Sequence, residues 1–269
     1  MWHVNQALAG LALAATSLAA HATVGGDPRL REDLDRIGRM RVLFGHQSVG
    51  AGIVAGMQRL VARSGADLRI AELRTATGLA PGLTHAYVER NGDPRQKLAS
   101  FDRLLSQLAA APPDVAFVKF CYVDFDAATD TEALFRDYQA TLAELARRYP
   151  HTRFIHVTAP IQSLQGGLKA AIKRLLGRAP GGFLENARRE AFNARLRATY
   201  AGPALFDLAR LEAVTASGVL TTVTWRGQTV PSLPAENTID GGHLSAPAEE
   251  RIARVLAAHL ATLPVPGEP

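Results

Sequence analysis

The nine-residue run VAFVKFCYV, residues 115 to 123, constrains this chain most. It follows Pro113-Asp114 and is apolar throughout except for Lys119. A strand with one wet face would alternate apolar and polar residues. A continuous run of this length predicts a strand buried on both faces, as in a parallel sheet covered by helices.

The rest of the chain repeats that logic. Strands are predicted at Arg41–Phe44, Asp67–Leu73, Arg153–Thr158 and Ala204–Leu208. Helices are predicted between them. Gly50–Ser64 puts Ile53, Val54, Met57, Leu60 and Val61 on one face, and Asp93-Pro94 starts a helix reaching about Ala110. Further helices are expected at Thr131–Arg148, Glu185–Tyr200 and Ala246–Leu263. Gly78–Gly92, rich in Gly, Pro and His, reads as a loop, and TTVTWRGQTV as a hairpin turning at Arg226-Gly227. This β-α alternation predicts an α/β fold: a three-layer α/β/α sandwich with a central parallel sheet of about five strands. Ligands in such folds sit at the carboxyl ends of the strands.

The chain has 269 residues, enough for one such domain. Its start differs in composition. Ala7 to Ala20 is small and apolar, and Ala20-His21-Ala22 fits a small-x-small cleavage site. Residues 1–22 are therefore expected to be a secretory signal peptide, although without Lys or Arg ahead of the apolar stretch. A single domain, 23–269, would follow, in the periplasm or outside the cell. About 14 apolar residues are short for a bilayer span, and no later segment is long enough.

Cys121 is the only cysteine, so neither an intrachain disulfide nor a structural Cys-type zinc site is possible. The net charge is +5, and the clearest basic cluster is KAAIKRLLGR, residues 169–178. It could meet an anionic polysaccharide, lipid head groups or nucleic acid, but a solvated helix face explains it as well. No aromatic interleaving, helix-turn-helix or zinc-finger pattern accompanies it, so nucleic acid is set aside. Gln162–Gly182, Gly-flanked and basic, is a candidate lid.

Two short stretches carry candidate chemistry. In FGHQSVG, residues 44–50, Ser48 follows the first strand where a helix begins. A helix N-terminus offers backbone N–H groups and positive dipole to a developing oxyanion, but Ser is also a favoured helix cap. The spacing is not the G-x-S-x-G elbow. In DGGHLS, Asp240 and His243 are three apart across two glycines, directly before the last helix. Folded back, the carboxylate would hold Nδ1 and leave Nε2 free as a base.

Together, an early Ser and a late Asp-x-x-His on alternating β-α resemble the SGNH (GDSL-type) hydrolase family. The resemblance implies a Ser48–His243–Asp240 triad, an acyl-enzyme and no cofactor. The last block matches fully. The first reads Gly45-His46-Gln47-Ser48 instead of Gly-Asp-Ser. The family's second block supplies a glycine N–H to the oxyanion; Asn91-Gly92 is the best candidate, with Gly78 and Gly82 behind it. The third block, Gly-x-Asn-Asp, reads Cys121-Tyr122-Val123-Asp124 here, so its Asn donor is absent. Asn91, Gln47 or Tyr122 would have to replace it, or the hole is weaker by about 3 kcal/mol.

The resemblance thus implies oxyanion donors at Ser48, Gly92 and Asn91, with Gln47, Tyr122 and Asp124 near the substrate. His46, two residues from Ser48, could orient it, contact the substrate, donate to an oxyanion or stabilise the turn. It implies a small ester or an acylated carbohydrate as substrate. O-acyl transfer to polysaccharide with the same triad, or a non-catalytic carbohydrate-binding module, are the alternatives. Other polar residues have structural explanations. Cys121 reads as a buried strand cysteine, Lys119 as either snorkelling or paired with a buried acid such as Asp124, and His156 as a satisfied strand histidine. His85 could line a pocket. A metal site from His46, His243, Asp124 and Asp240 lacks any recognised ligand spacing.

Overall fold

The computed structural model describes residues 27–73 and 78–268. The expected signal peptide, residues 1–22, lies outside them. A parallel sheet forms the centre: β1 (Arg41–His46), β2 (Ile70–Glu72), β3 (Gly82–Tyr87), β4 (Val115–Val118), β5 (Arg153–Val157) and β6 (Leu205–Phe206). Their spatial order is β2-β3-β1-β4-β5-β6, all parallel. An antiparallel hairpin, β7 (Thr222–Trp225) and β8 (Gln228–Pro231), turns at Arg226-Gly227.

Period-two alternation sorts the strand side chains into two cores. Val42, Phe44, Val115 and Phe117 point to one face, where α1 (Pro28–Gly38), α2 (Ser48–Ser64) and α8 (Ala246–Ala261) cover them. Leu43, Ala116 and Val118 point to the other. There α3 (Pro94–Gln107), α4 (Thr131–Arg148) and α6 (Phe183–Thr199) cover them. Two short helices, α5 (Gly167–Leu175) and α7 (Leu208–Ala213), complete the chain. The architecture is the three-layer α/β/α sandwich.

Three elements differ from expectation. Residues 78–92 are not all loop: Gly82–Tyr87 is a strand between β1 and β2, which makes the sheet six-stranded. Thr84 and His85 hide it in the sequence. The strand that begins at Val115 stops at Val118, because the chain bends away there and Tyr122–Asp124 winds into a 3-10 turn. The strand expected over 67–73 forms only at Ile70–Glu72.

Glycines let α2 and α8 approach closely. A Cβ on Gly56 would fall 2.5 Å from the Glu249 carbonyl oxygen, and one on Gly52 would meet the Glu249 carboxylate. Arg59 then clasps Glu249 and Glu250 across the seam, at 2.6 and 2.8 Å. This pairing fixes the body of α2 against the first turns of α8.

Candidate active site

Ser48 is the first residue of α2, at the carboxyl end of β1. The loop ahead of α8 carries Asp240 and His243. Ser48 Oγ lies 2.9 Å from His243 Nε2, and His243 Nδ1 lies 2.6 Å from Asp240 Oδ2. Asp240 Oδ1 also accepts the backbone N–H groups of Gly242 (2.9 Å) and His243 (2.7 Å). The His243 hydrogen bonds, backbone first, then side chain, and the Gly242 N–H hold the Asp240 carboxyl down at about 2. An ionised Asp240 can only accept, so Nδ1 carries the ring proton and Nε2 presents its lone pair to the Ser48 hydroxyl. The arrangement can take a proton from a serine that attacks an acyl carbon.

Two residues that the sequence did not single out, Thr238 and Ser163, hold this loop. Thr238 Oγ1 donates to the His243 carbonyl at 2.6 Å and accepts from Gly241 N–H at 2.9 Å. Ser163 N–H donates to the Gly241 carbonyl at 2.8 Å. The Tyr122 ring, half-buried, meets the His243 ring edge-on at 5.9 Å. Burial raises the Tyr122 phenol, so it stays neutral.

Helix α2 has no side-chain cap. Gln47 stands at the N-cap position, but its Nε2 donates instead to the carbonyls of Val88 (2.5 Å) and Glu89 (2.6 Å). That straps the β3 exit to the serine turn. It also corrects two readings, because the Gln47 amide is neither a spare oxyanion donor nor a free substrate contact.

His46 is not a substrate contact either; it is fully buried. Its Nδ1 donates to the Gln47 carbonyl (3.0 Å), so its Nε2 must accept from His85 Nδ1 (3.0 Å). Burial drives its pKa down to about 3 and keeps the ring neutral. Gly50 makes room for it: a Cβ there would sit 2.3 Å from His46 Cβ. His85 is also buried and closes this pair from β3.

Asp124 is buried against Lys97, not Lys119, with Lys97 Nζ 2.6 and 2.8 Å from its two oxygens. It also accepts Gly92 N–H at 2.8 Å and Cys121 N–H at 2.6 Å. Two corrections follow. Asp124 faces the interior and does not reach a substrate. Gly92 N–H is spent on Asp124 and is not an oxyanion donor. Lys119 Nζ donates to the Phe120 carbonyl at 2.8 Å, and burial lowers its pKa. Nearby Glu212 is pushed up to about 8 by burial.

Asn91 is placed by the same lysine: its Oδ1 accepts from Lys97 Nζ at 2.8 Å. An ammonium only donates, so Asn91 must turn its oxygen to Lys97, which leaves its Nδ2 donors on the other side. Cys121 is buried. His156 is buried too, bonded to Tyr138 Oη at 2.9 Å and stacked on Tyr200. Among the described residues, no group of three or more His, Cys, Asp or Glu could hold a metal ion. Nor is any described helix long and apolar enough to cross a membrane.

No family model and no curated protein matches the chain. Solved structures do. The periplasmic domain of a lipopolysaccharide acetyltransferase from Salmonella ser. Paratyphi A aligns with a TM-score of 0.46 and 14% identity, over 79% of this chain and 80% of that one. The lipase Lip_vut3 from a goat rumen metagenome aligns with a TM-score of 0.43 and 12% identity, over 81% of this chain and 95% of that one. At such distance the likenesses carry no activity across, and the function has to be argued from the side chains themselves.

Proposed function

We propose that this chain is a serine hydrolase of carboxylic esters. The unbroken hydrogen-bond chain from Ser48 through His243 to Asp240 carries the reading. Ser48 Oγ attacks the acyl carbon while its proton passes to His243 Nε2. Asp240 stabilises the imidazolium and keeps its orientation. The tetrahedral oxyanion is met by the N–H of Ser48, at the uncapped start of α2, and by Asn91 Nδ2. Collapse breaks the ester C–O bond, and His243 protonates the departing alcohol. Water, deprotonated by His243, then releases the acid and regenerates Ser48. The scheme uses no cofactor.

The triad lies open: the His243 and Asp240 side chains are 37% and 49% exposed. That favours esters on large or surface-bound molecules, such as acylated polysaccharide, over small molecules enclosed in a pocket. Export of the enzyme rests on residues 1–22 alone. Protein found only inside the cell, with residues 1–22 still attached, would overturn it; a secreted form starting near Thr23 is expected.

Labelling with a fluorophosphonate probe, followed by peptide mapping, tests the mechanism. Modification is expected at Ser48 and should vanish in His243→Ala. A folded protein that resists labelling would refute the activated serine. Acyl groups appearing on added sugar rather than as free acid would shift the reading to acyl transfer.

A further inference from the structure

Helix α5 is built on the molecule with its apolar side outward. Leu168, Ile172, Leu175 and Leu176 are 77, 49, 88 and 65% exposed. At about 100° per residue these four fall on one stripe of the helix. Ala170, on the opposite side, is the one buried residue of the helix. Lys169 flanks the stripe on one edge; Lys173 and Arg174, three and four residues after Ala170, lie towards the body side, Lys173 half-buried and Arg174 exposed.

The helix is held in this pose at both ends. On its N-terminal side, Ser163 is bonded to Gly241 within the Asp240–His243 loop. On its C-terminal side, Arg226 of the hairpin turn donates to the Gly177 carbonyl at 3.1 Å. Leucines presented this way are not waiting to fold back onto the body, because the face that touches the body is already the Ala170 side.

We infer that α5 is an interfacial anchor that seats this protein on an anionic lipid surface. The apolar stripe would enter the acyl boundary while Lys169 at its edge, and the long exposed side chain of Arg174 from further round the helix, reach the head-group phosphates. Charge selects this occupant. From residue 162 to 184 the chain has four basic residues and no acid. Two copies meeting stripe to stripe would bring these cations together with nothing to offset them. An anionic bilayer supplies both the apolar phase and the counter-charge. The inference does not depend on Ser48 being reactive. If both hold, the root of α5 at Gly241 brings the triad loop close to the membrane plane.

The test is a Leu175→Trp variant of the full chain, read against the parent chain for its own tryptophans. Leu175 is exposed, so the substitution spares the fold. With vesicles of equal parts phosphatidylglycerol and phosphatidylcholine, the added emission is expected to shift blue and to be quenched by brominated lipid. Adding Lys169→Gln and Arg174→Gln should weaken partition roughly 30-fold, at about a factor of five to six per charge. Pure phosphatidylcholine should give a similarly weak signal. No blue shift at saturating anionic vesicles would overturn the inference. So would co-sedimentation of the Leu175→Trp variant with its added emission unshifted, which means adsorption without insertion. A lipid-independent shift that fades on dilution would mean that a second copy is the occupant, and would also overturn it.

Discussion

Lys97 Nζ stands 2.6 Å from Asp124 Oδ2, and neither side chain reaches solvent. The pair ties α3 to the turn after β4, and through Gly92 N–H and Asn91 Oδ1 it holds the loop that enters α3. Removing one partner strands a buried charge. Asp124→Ala is expected to cost about 3–5 kcal/mol in chemical denaturation. Lys97→Met with Asp124→Leu should recover most of that stability, because an apolar pair of similar volume fits a dry site. Ester turnover should stay low in the double variant, since Asn91 has lost its anchor. Recovery of turnover along with stability would show that the pair serves the fold alone.

Asn91 replaces, in this scheme, the donor that the turn after β4 lacks. Asn91→Ala is expected to lower kcat about 100-fold or more with little change in KM, as loss of one oxyanion donor does. The fluorophosphonate adduct at Ser48 should still form, more slowly. A kcat within a factor of about two of the parent would exclude Asn91 as a donor.

Asp240 sets the tautomer of His243. In Asp240→Asn the amide can donate to Nδ1, which moves the ring proton to Nε2 and leaves Ser48 without a base. Turnover is expected to drop by about four orders of magnitude while the fold persists. Because the Asp240 carboxyl is held at about 2, it remains ionised down to that pH, and the acid limb of the rate profile should not come from it. Asp240→Asn retaining a tenth of the parent's kcat would exclude this role.

Buried His46 makes stability depend on pH. Its folded pKa is about 3 and a histidine in the unfolded chain titrates near 6.5. Between those values the unfolded chain holds the extra proton, so this contribution to stability falls as pH drops from about 6.5 towards 3. At about pH 5 the loss is about 2 kcal/mol. His156, lowered to about 4 by burial, acts in the same direction. Glu212 opposes both, because its raised pKa weakens the fold as pH rises from about 4.5 to 8. A comparison with His46→Asn isolates one term. Asn can still donate to the Gln47 carbonyl but cannot ionise. Its stability deficit at pH 7 should narrow by about 2 kcal/mol at about pH 5. An unchanged gap would mean that His46 does not titrate between the folded and unfolded states.

Local signals made much of the architecture legible in the sequence. The two-sided apolar run from Val115 announced a covered parallel sheet. Apolar spacing marked α2, and Arg226-Gly227 marked the hairpin turn. What could not be read depended on partners distant in sequence. Gly82–Tyr87 is too polar to look like a central strand, yet His85 is satisfied by His46 from β1. Gly92 looked available until Asp124 claimed its N–H. Lys97 left one trace: it occupies an apolar-face position of α3, one turn before Phe101, where a lysine must find a buried acid. Lys119, in its apolar run, left open whether it snorkels or meets an acid such as Asp124; that acid went to Lys97, because strand periodicity does not say where the chain bends.

Gly242 is the narrowest point of the triad loop. A Cβ there would lie 2.4 Å from Tyr122 Cζ and 2.6 Å from its hydroxyl. Tyr122 cannot easily yield, because Arg189 donates to its carbonyl at 2.8 Å and its ring packs edge-on against His243. Gly242→Ala is therefore expected to push His243 off Ser48. A displacement of about 1 Å at a reacting group costs about 100-fold in rate. Tyr122→Leu removes the clashing atoms and should restore most of the turnover and labelling rate of Gly242→Ala. Tyr122→Phe keeps Cζ and should not. Equal rescue by both would trace the defect to the hydroxyl rather than to the ring, and no rescue by either would place it in the loop backbone.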